Sequence, residues 1–189
     1  LDEATHNISS GGSAFNDITF NDATTSPAFA EPSVVVNGDF VISTGTVAMP
    51  TSKTTIGGSF LNSGMFMHNN SEVEFDGSGS ELITLNGTDF LNLFDDVTLD
   101  GSGDWTFTDS NATVTNNVQI DDGTVGFPGG VLTIANNLTT DGGGFNSNGG
   151  LVRFTSADNQ NITTNGSAFE DVSFGTGSAF GWYNLAWSN

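Results

Sequence analysis

The feature that most limits what this chain can fold into is that it repeats itself, because repeated units of this size bury their apolar faces on one another. FNDITF at 15–20 returns as FDDVTL at 94–99 and as FEDVSF at 169–174, at offsets of 79 and then 75. The segment from Ser33 to Pro50 aligns without a gap to the one from Asn111 to Pro128. At that offset of 78 it shares Val36/Val114, Ile42/Ile120, Gly45/Gly123, Thr46/Thr124, Val47/Val125 and Pro50/Pro128. HNISSGGSAF from His6 matches QNITTNGSAF from Gln160 at an offset of 154. The chain therefore reads as one continuous body: a first module at 1–80, a second at 81–159 and the opening of a third at 160–189.

A shorter period lies inside the module. Triplets with mostly apolar ends and a mostly polar centre begin at Ile18, Val34, Thr54, Val73, Val97, Ala112, Leu132, Val152 and Val172, in steps of 16, 20, 19, 24, 15, 20, 20 and 20. Such a triplet is a short strand with two side chains inward and one outward. Many lead into turn formers, as at Asn37-Gly38, Gly57-Gly58, Asp76-Gly77 and Asp100-Gly101. No stretch keeps a helical period. The pattern predicts a parallel β-solenoid with coils of about 19–20 residues, stacked about 4.8 Å apart. Tandem β-sandwich modules also carry short alternating strands, but a sandwich has no reason to show the inner period. The steps of 24 and 15 together span two ordinary coils, which predicts one corner bulge at Thr88 to Leu93. The inward residues Phe20, Val36, Ile56, Phe75, Leu99, Val114, Ile134, Phe154 and Phe174 are expected to form a ladder. Ring stacking between coils would use many of the 16 Phe.

Charge narrows the partners. With 2 Lys+Arg against 22 Asp+Glu the formal charge is -20, and a polyanion such as nucleic acid cannot be held without a basic footprint. No apolar run reaches the length of a membrane span, so no membrane insertion is expected. Zero Cys excludes disulfides and thiolate chemistry. The first residues, Leu1-Asp2-Glu3-Ala4-Thr5, lack an initiator Met and any signal-peptide pattern, as expected of a processed product or an excerpt of something longer.

The FNDITF, FDDVTL and FEDVSF elements, with GTV and Asn-Gly turns between them, resemble repeats of large secreted bacterial and archaeal surface proteins of the adhesin or autotransporter-passenger type. That resemblance implies an extracellular, right-handed β-helical stalk or fibre at the cell surface with no active site, and carries over no functional residue.

Candidate chemistry is read from the residues themselves. Paired carboxylates at Asp95-Asp96 and Asp121-Asp122 raise the acid/base chemistry of polysaccharide lyases and hydrolases. The repeat argues against it, because Asp17, Asp96 and Asp171 fill one slot in all three copies, as a turn or amide cap would. Only Lys53 and Arg153 are available to stabilise developing negative charge. Calcium is the candidate ion, with Asp76, Asp100, Asp104, Asp121 and Asp122 beside turns, although no EF-hand or glycine-aspartate calcium repeat is present. No other cofactor is expected. The structural repeat positions are Phe15, Asp17, Phe20, Phe94, Asp96, Leu99, Phe169, Asp171 and Phe174. Trp182, Tyr183 and Trp187 lie in the most aromatic stretch and are candidates for self-association or binding. The expectation is a non-catalytic structural repeat of an extracellular fibre, filament or stalk, associating end to end as a homo-oligomer or polymer. An adhesin-like glycan-binding module using Trp105, Trp182 and Tyr183 is the second reading. A polysaccharide lyase or hydrolase relic is the third.

Overall fold

The computed structural model describes residues 6–87 and 92–175, and the strand Leu185–Ser188 as backbone. It is all-β, with no helix among the described residues: parallel strands wind into a β-solenoid of about 8 turns. Tandem sandwiches are thereby excluded. Each coil passes through three faces in fixed order. The first face carries Ser33–Val36, Lys53–Ile56, Glu72–Phe75, Asp96–Leu99, Val118–Ile120, Leu138–Thr140, Gln160–Thr163 and Leu185–Ser188. The second carries Ile18–Asn21, Phe40–Thr44, Phe60–Asn62, Ser80–Thr84, Asp104–Phe107, Thr124–Gly126 and Gly144–Asn146.

The third face is built in two halves. Asn7–Ile8, Ala28–Phe29, Thr46–Ala48 and Met65–Met67 form one sheet; Asn111–Val114, Val131–Ile134, Leu151–Phe154 and Asp171–Phe174 form the other. The buried Asn92 lies between them. Its Oδ1 accepts the Phe66 amide at 3.2 Å and the Asn62 side-chain amide at 3.0 Å. Two residues later Phe94 bridges Val114 in the sheet above.

Register along the first face measures the coils directly. Ser33 pairs with Lys53, Lys53 with Glu72, Glu72 with Asp96, Val97 with Val118, Val118 with Leu138 and Leu138 with Ile162, so the sequence numbers advance by 20, 19, 24, 21, 20 and 24 per coil. The step of 24 is thus a long coil, and most of the expected bulge at Thr88 to Leu93 falls on residues 88–91, which lie outside the described residues. The step of 15 that follows it is no compensation: Val97 lies on the first face and Ala112 on the third face of the same coil. This corrects the reading of the steps of 24 and 15 as two ordinary coils. The step of 16 from Ile18 to Val34 is likewise a change of face.

The single inward ladder divides for the same reason. Phe20 belongs to the second face, Val36, Ile56, Phe75 and Leu99 to the first, and Val114, Ile134, Phe154 and Phe174 to the third. All point inward, yet they line different walls. The first face continues instead through Ile120 and Thr140, with Val34, Thr54, Val73, Val97, Val118, Leu138 and Ile162 as a second inward column. Aromatic rings fill the interior between walls. Phe40 stacks on Phe60 at 5.5 Å, Phe127 on Phe145 at 4.7 Å and Phe154 on Phe174 at 5.4 Å, each pair adding about 0.5–1.5 kcal/mol to simple burial.

The repeats themselves rotate. FNDITF ends on the second face, FDDVTL on the first and FEDVSF on the third. From one copy to the next the chain advances eleven strand positions, three turns and two faces of a fourth. Local geometry travels with the sequence. The aligned glycines Gly45 and Gly123 both take a left-handed conformation, φ 87° and 67°, one at the corner between second and third faces, the other between first and second. A Cβ on either would collide with a carbonyl oxygen of the coil below, Asp22 or Gly103, so the corner needs glycine for space as well as for φ.

One interior position departs from its column. Thr54 is fully buried between Val34 and Val73, and its hydroxyl has no hydrogen-bond partner. Thr54→Val removes an unsatisfied polar group without changing shape, so it should stabilise the fold by about 1 kcal/mol. That appears as a rise of about 2–4 °C in Tm by calorimetry.

Candidate functional site: corner ladders and a polar face

Short polar side chains precede the strands at two corners. Asp17, Asp39 and Ser59 stand before Ile18, Phe40 and Phe60 on entry to the second face. Asp96, Asn117, Asn137 and Asn161 stand at the entry to the first, before Val97, Val118, Leu138 and Ile162. From there an Asx side chain reaches the backbone of the next coil. Asp17 Oδ1 accepts the Asp39 amide at 2.9 Å, and Asp39 Oδ1 accepts the Ser59 amide at 2.9 Å. Ser59 Oγ then accepts the Leu82 amide at 3.1 Å and donates to Glu81 at 2.8 Å.

The second ladder is longer. Asp96 Oδ1 accepts the Asn117 backbone amide at 3.0 Å and its side-chain amide at 2.9 Å, while Oδ2 accepts from Asn116 Nδ2 at 3.0 Å. Asn117 Oδ1 accepts the Asn137 backbone amide at 3.2 Å and its Nδ2 at 2.9 Å. Asn137 Oδ1 takes the Asn161 amide at 2.7 Å. Of the repeat positions, Asp17 and Asp96 thus bind amides one coil on, and Asp171 opens its strand exposed. Phe94 and Leu99 are fully buried, Phe20 nearly so, and Phe15, Phe169 and Phe174 are half-buried against the core.

Reading the sequence alone missed Asp39, Ser59, Asn117 and Asn137. The available signal was a short polar residue directly before an apolar strand residue, recurring at about one coil's spacing within each ladder. Following one triplet per coil hid it, since that track moved to the third face after Leu99.

The calcium candidates separate by position. Asp76, Asp100 and Asp121 directly follow Phe75, Leu99 and Ile120, which are in register, and Asp141 follows Thr140 in the same column. The sequence reading did not single out Asp141, which continues this column after Leu138–Thr140. Asp104 instead opens a second-face strand. Asp122 Oδ1 accepts the Gly123 amide at 2.8 Å, and both Asp121 oxygens accept from Gln119 Nε2, at 2.9 and 2.7 Å. Among the described residues no three histidine, aspartate or glutamate side chains converge as a metal site would require.

The paired carboxylates are engaged in local bonds. Asp95 Oδ1 accepts the Thr115 hydroxyl at 2.9 Å, beside the bonds of Asp96. Lys53 donates to Glu74 and lies 3.9 Å from Glu72, and Arg153 is exposed on another face. Burial by itself would lower the Lys53 pKa; the Glu74 hydrogen bond and the two glutamate charges outweigh it and hold the ammonium above its usual range. For Asp76, partial burial first, then the charges of Glu74 and Asp100, raise the carboxyl pKa.

The first face carries a polar groove. One hollow is lined by Gln119, Asp121, Thr139, Asp141, Asn161 and Thr163; the adjoining one by Glu72, Asp96, Thr98, Asn117 and Asn137, sharing Gln119 and Thr139. Among the described residues, neither is lined by an aromatic side chain. Trp105 corrects the expected aromatic binding row: it is 1% exposed, packed in the core beside Phe75, because its strand turns that position inward. Trp182 and Tyr183 lie outside the described residues, and Trp187 is described only as backbone, in register with Ile162.

Two measurements probe these groups. Asp96→Ala strips three acceptor bonds and should cost about 2 kcal/mol, or about 4–8 °C in Tm, whereas Asp96→Asn keeps an acceptor and should lose less than half of that. Asp76→Asn should raise Tm at pH 7, because a carboxyl whose pKa is raised by folding disfavours the fold when ionised. As the pH falls through that raised value the gain should shrink, and it should be gone below the ordinary value of 3.8.

Among known proteins, no family model, no curated sequence and no solved structure matches this chain.

Proposed function

We propose that the chain is a non-catalytic structural segment of a secreted surface fibre or stalk, a stiff acidic rod that joins further copies end to end. The observation that carries this reading is the rotation of the repeat. Successive copies of FNDITF turn to different faces, so what the copies preserve is interior packing and corner bonding, which serve a rod equally on every side. A repeated catalytic or binding groove would gain by staying on one face. Neither cofactor nor metal is needed for this role, and few Lys and Arg leave few sites for trypsin-like proteases outside the cell.

A glycan-binding module is the second reading, favoured by the continuous groove through Gln119 and Thr139. Its hydroxyls, amides and carboxylates recur with each coil and suit a polyhydroxylated chain lying along the rod axis. The lyase or hydrolase relic has weaker support, since both paired carboxylates are occupied by local bonds.

Small-angle scattering and negative-stain microscopy in low and millimolar calcium test the primary reading. The expected particle is a rigid rod of roughly 40 Å per chain, from about 4.8 Å per coil, unchanged in shape and Tm by calcium. A compact sphere, or a rod that forms only with calcium, overturns it. Saturable binding of soluble polysaccharides that Gln119→Ala weakens tenfold moves the assignment to the glycan reading.

A further inference from the structure

Asparagine followed by glycine is the dipeptide that loses its side-chain amide most readily, because no Cβ on the second residue crowds the ring that forms. The chain has four such pairs: Asn37-Gly38, Asn86-Gly87, Asn148-Gly149 and Asn165-Gly166. The fold treats them unequally.

The reaction needs the glycine amide as nucleophile, room for a five-membered ring, and water. At Asn37-Gly38 the amide is engaged: Gly38 donates to the Asn16 carbonyl at 2.6 Å, and Asp17 Oδ1 fills the space beside it. At Asn86-Gly87 the Gly87 amide donates to Asp109 Oδ1 at 3.1 Å, and a carboxylate so placed opposes loss of that proton. Asn148-Gly149 and Asn165-Gly166 differ. Each pair forms the centre of a tight turn with both residues left-handed, φ 50° and 75° in one and 44° and 84° in the other. Gly150 donates to the Ser147 carbonyl and Ser167 to that of Thr164, both at 2.8 Å. That closing bond leaves the central amide unused, and neither Gly149 nor Gly166 N–H has a partner among the described residues. All four residues are exposed, with open space where a glycine Cβ would stand.

The two asparagine side chains meanwhile hold their corners. Asn148 Nδ2 donates to the Phe127 carbonyl at 2.9 Å, whereas Asn165 Nδ2 is shared between the Gly143 and Gly142 carbonyls at 3.2 and 3.4 Å. The longer, divided bond restrains Asn165 less.

We propose that Asn165, and then Asn148, are sites of spontaneous deamidation that release these corners as the protein ages. The Gly166 nitrogen, its proton taken by hydroxide, attacks Asn165 Cγ. The N–Cγ bond forms, the Cγ–Nδ2 bond breaks, and ammonia leaves with a proton from water. Water then adds to either carbonyl of the succinimide ring and opens it to aspartate or isoaspartate. Either product puts a carboxylate where a donor stood, opposite carbonyl oxygens, and isoaspartate adds a backbone atom to the turn as well. The chemistry is the same whether the rod serves as a stalk or holds a glycan.

Peptide mapping and ion-exchange chromatography of the folded chain, held at pH 7 and at pH 9, provide the test. Conversion should be fastest at Asn165, slower at Asn148, and about fivefold slower or more at Asn37 and Asn86, where a hydrogen bond must first be given up. It should quicken at pH 9. In guanidinium chloride, with the turns unfolded, that order should disappear. Converted protein, resolved by its added negative charge, should melt about 2–4 °C below the parent. Asn165→Gly is the companion variant, because the matching copy carries Gly11 and Gly12 in this turn at φ 62° and 82°. It should keep the parent's circular dichroism and stop conversion at that turn while Asn148 still reacts. Conversion at Asn37 or Asn86 as fast as at Asn165 overturns the proposal, and so does an order that persists in guanidinium chloride. A folded chain that keeps all four amides at pH 9 while the unfolded chain loses them overturns it too.

Discussion

Parallel pairing of each coil with the next is the interaction on which the remainder depends. A strand in this fold satisfies its backbone only through neighbours one full coil away along the chain on either side, so interior columns, corners and ends all inherit that spacing. The columns follow at once, since in-register pairing places like beside like. Val34, Thr54, Val73 and Val97 stack because their backbones do. Corner ladders use the same rise: an Asx oxygen at one coil reaches the amide of the next at 2.7–3.2 Å.

In-register stacking also brings like charges together. Asp76, Asp100, Asp121 and Asp141 share one corner at about the coil spacing of 4.8 Å, where two unit charges in water repel by about 0.9 kcal/mol before salt screening. One ladder acceptor such as Asp96 offsets that, since each hydrogen bond to an ionised group is worth about 1.5–3 kcal/mol. The rod thus tolerates its charge.

Rotation of the repeat decides how the surface is used. Because eleven positions separate copies on a three-sided coil, no feature fixed by the repeat can align along one side. The polar groove of the first face is therefore assembled from unlike parts of the module, with Gln119 and Thr139 from one stretch and Glu72 from another. What is common to the copies lies at the apolar interior positions and at the Asp17 and Asp96 slots.

The sequence by itself determined the parallel solenoid, the length of its ordinary coil and the inward side of each triplet, because alternation and period are local properties of the chain. It also marked Asp17 and Asp96 as fillers of one slot. Only the tertiary structure decided which wall each triplet lines. The short steps, from Ile18 to Val34 and from Val97 to Ala112, are changes of face, whereas the longer one from Val34 to Thr54 is a full turn; all look alike as alternating triplets. Burial of Trp105 was decided there as well, by the direction in which its strand enters the second face. The Asn117 and Asn137 rungs and the Asn92 plug needed the fold too: each bonds to backbone at least one coil away along the chain, which no local pattern discloses.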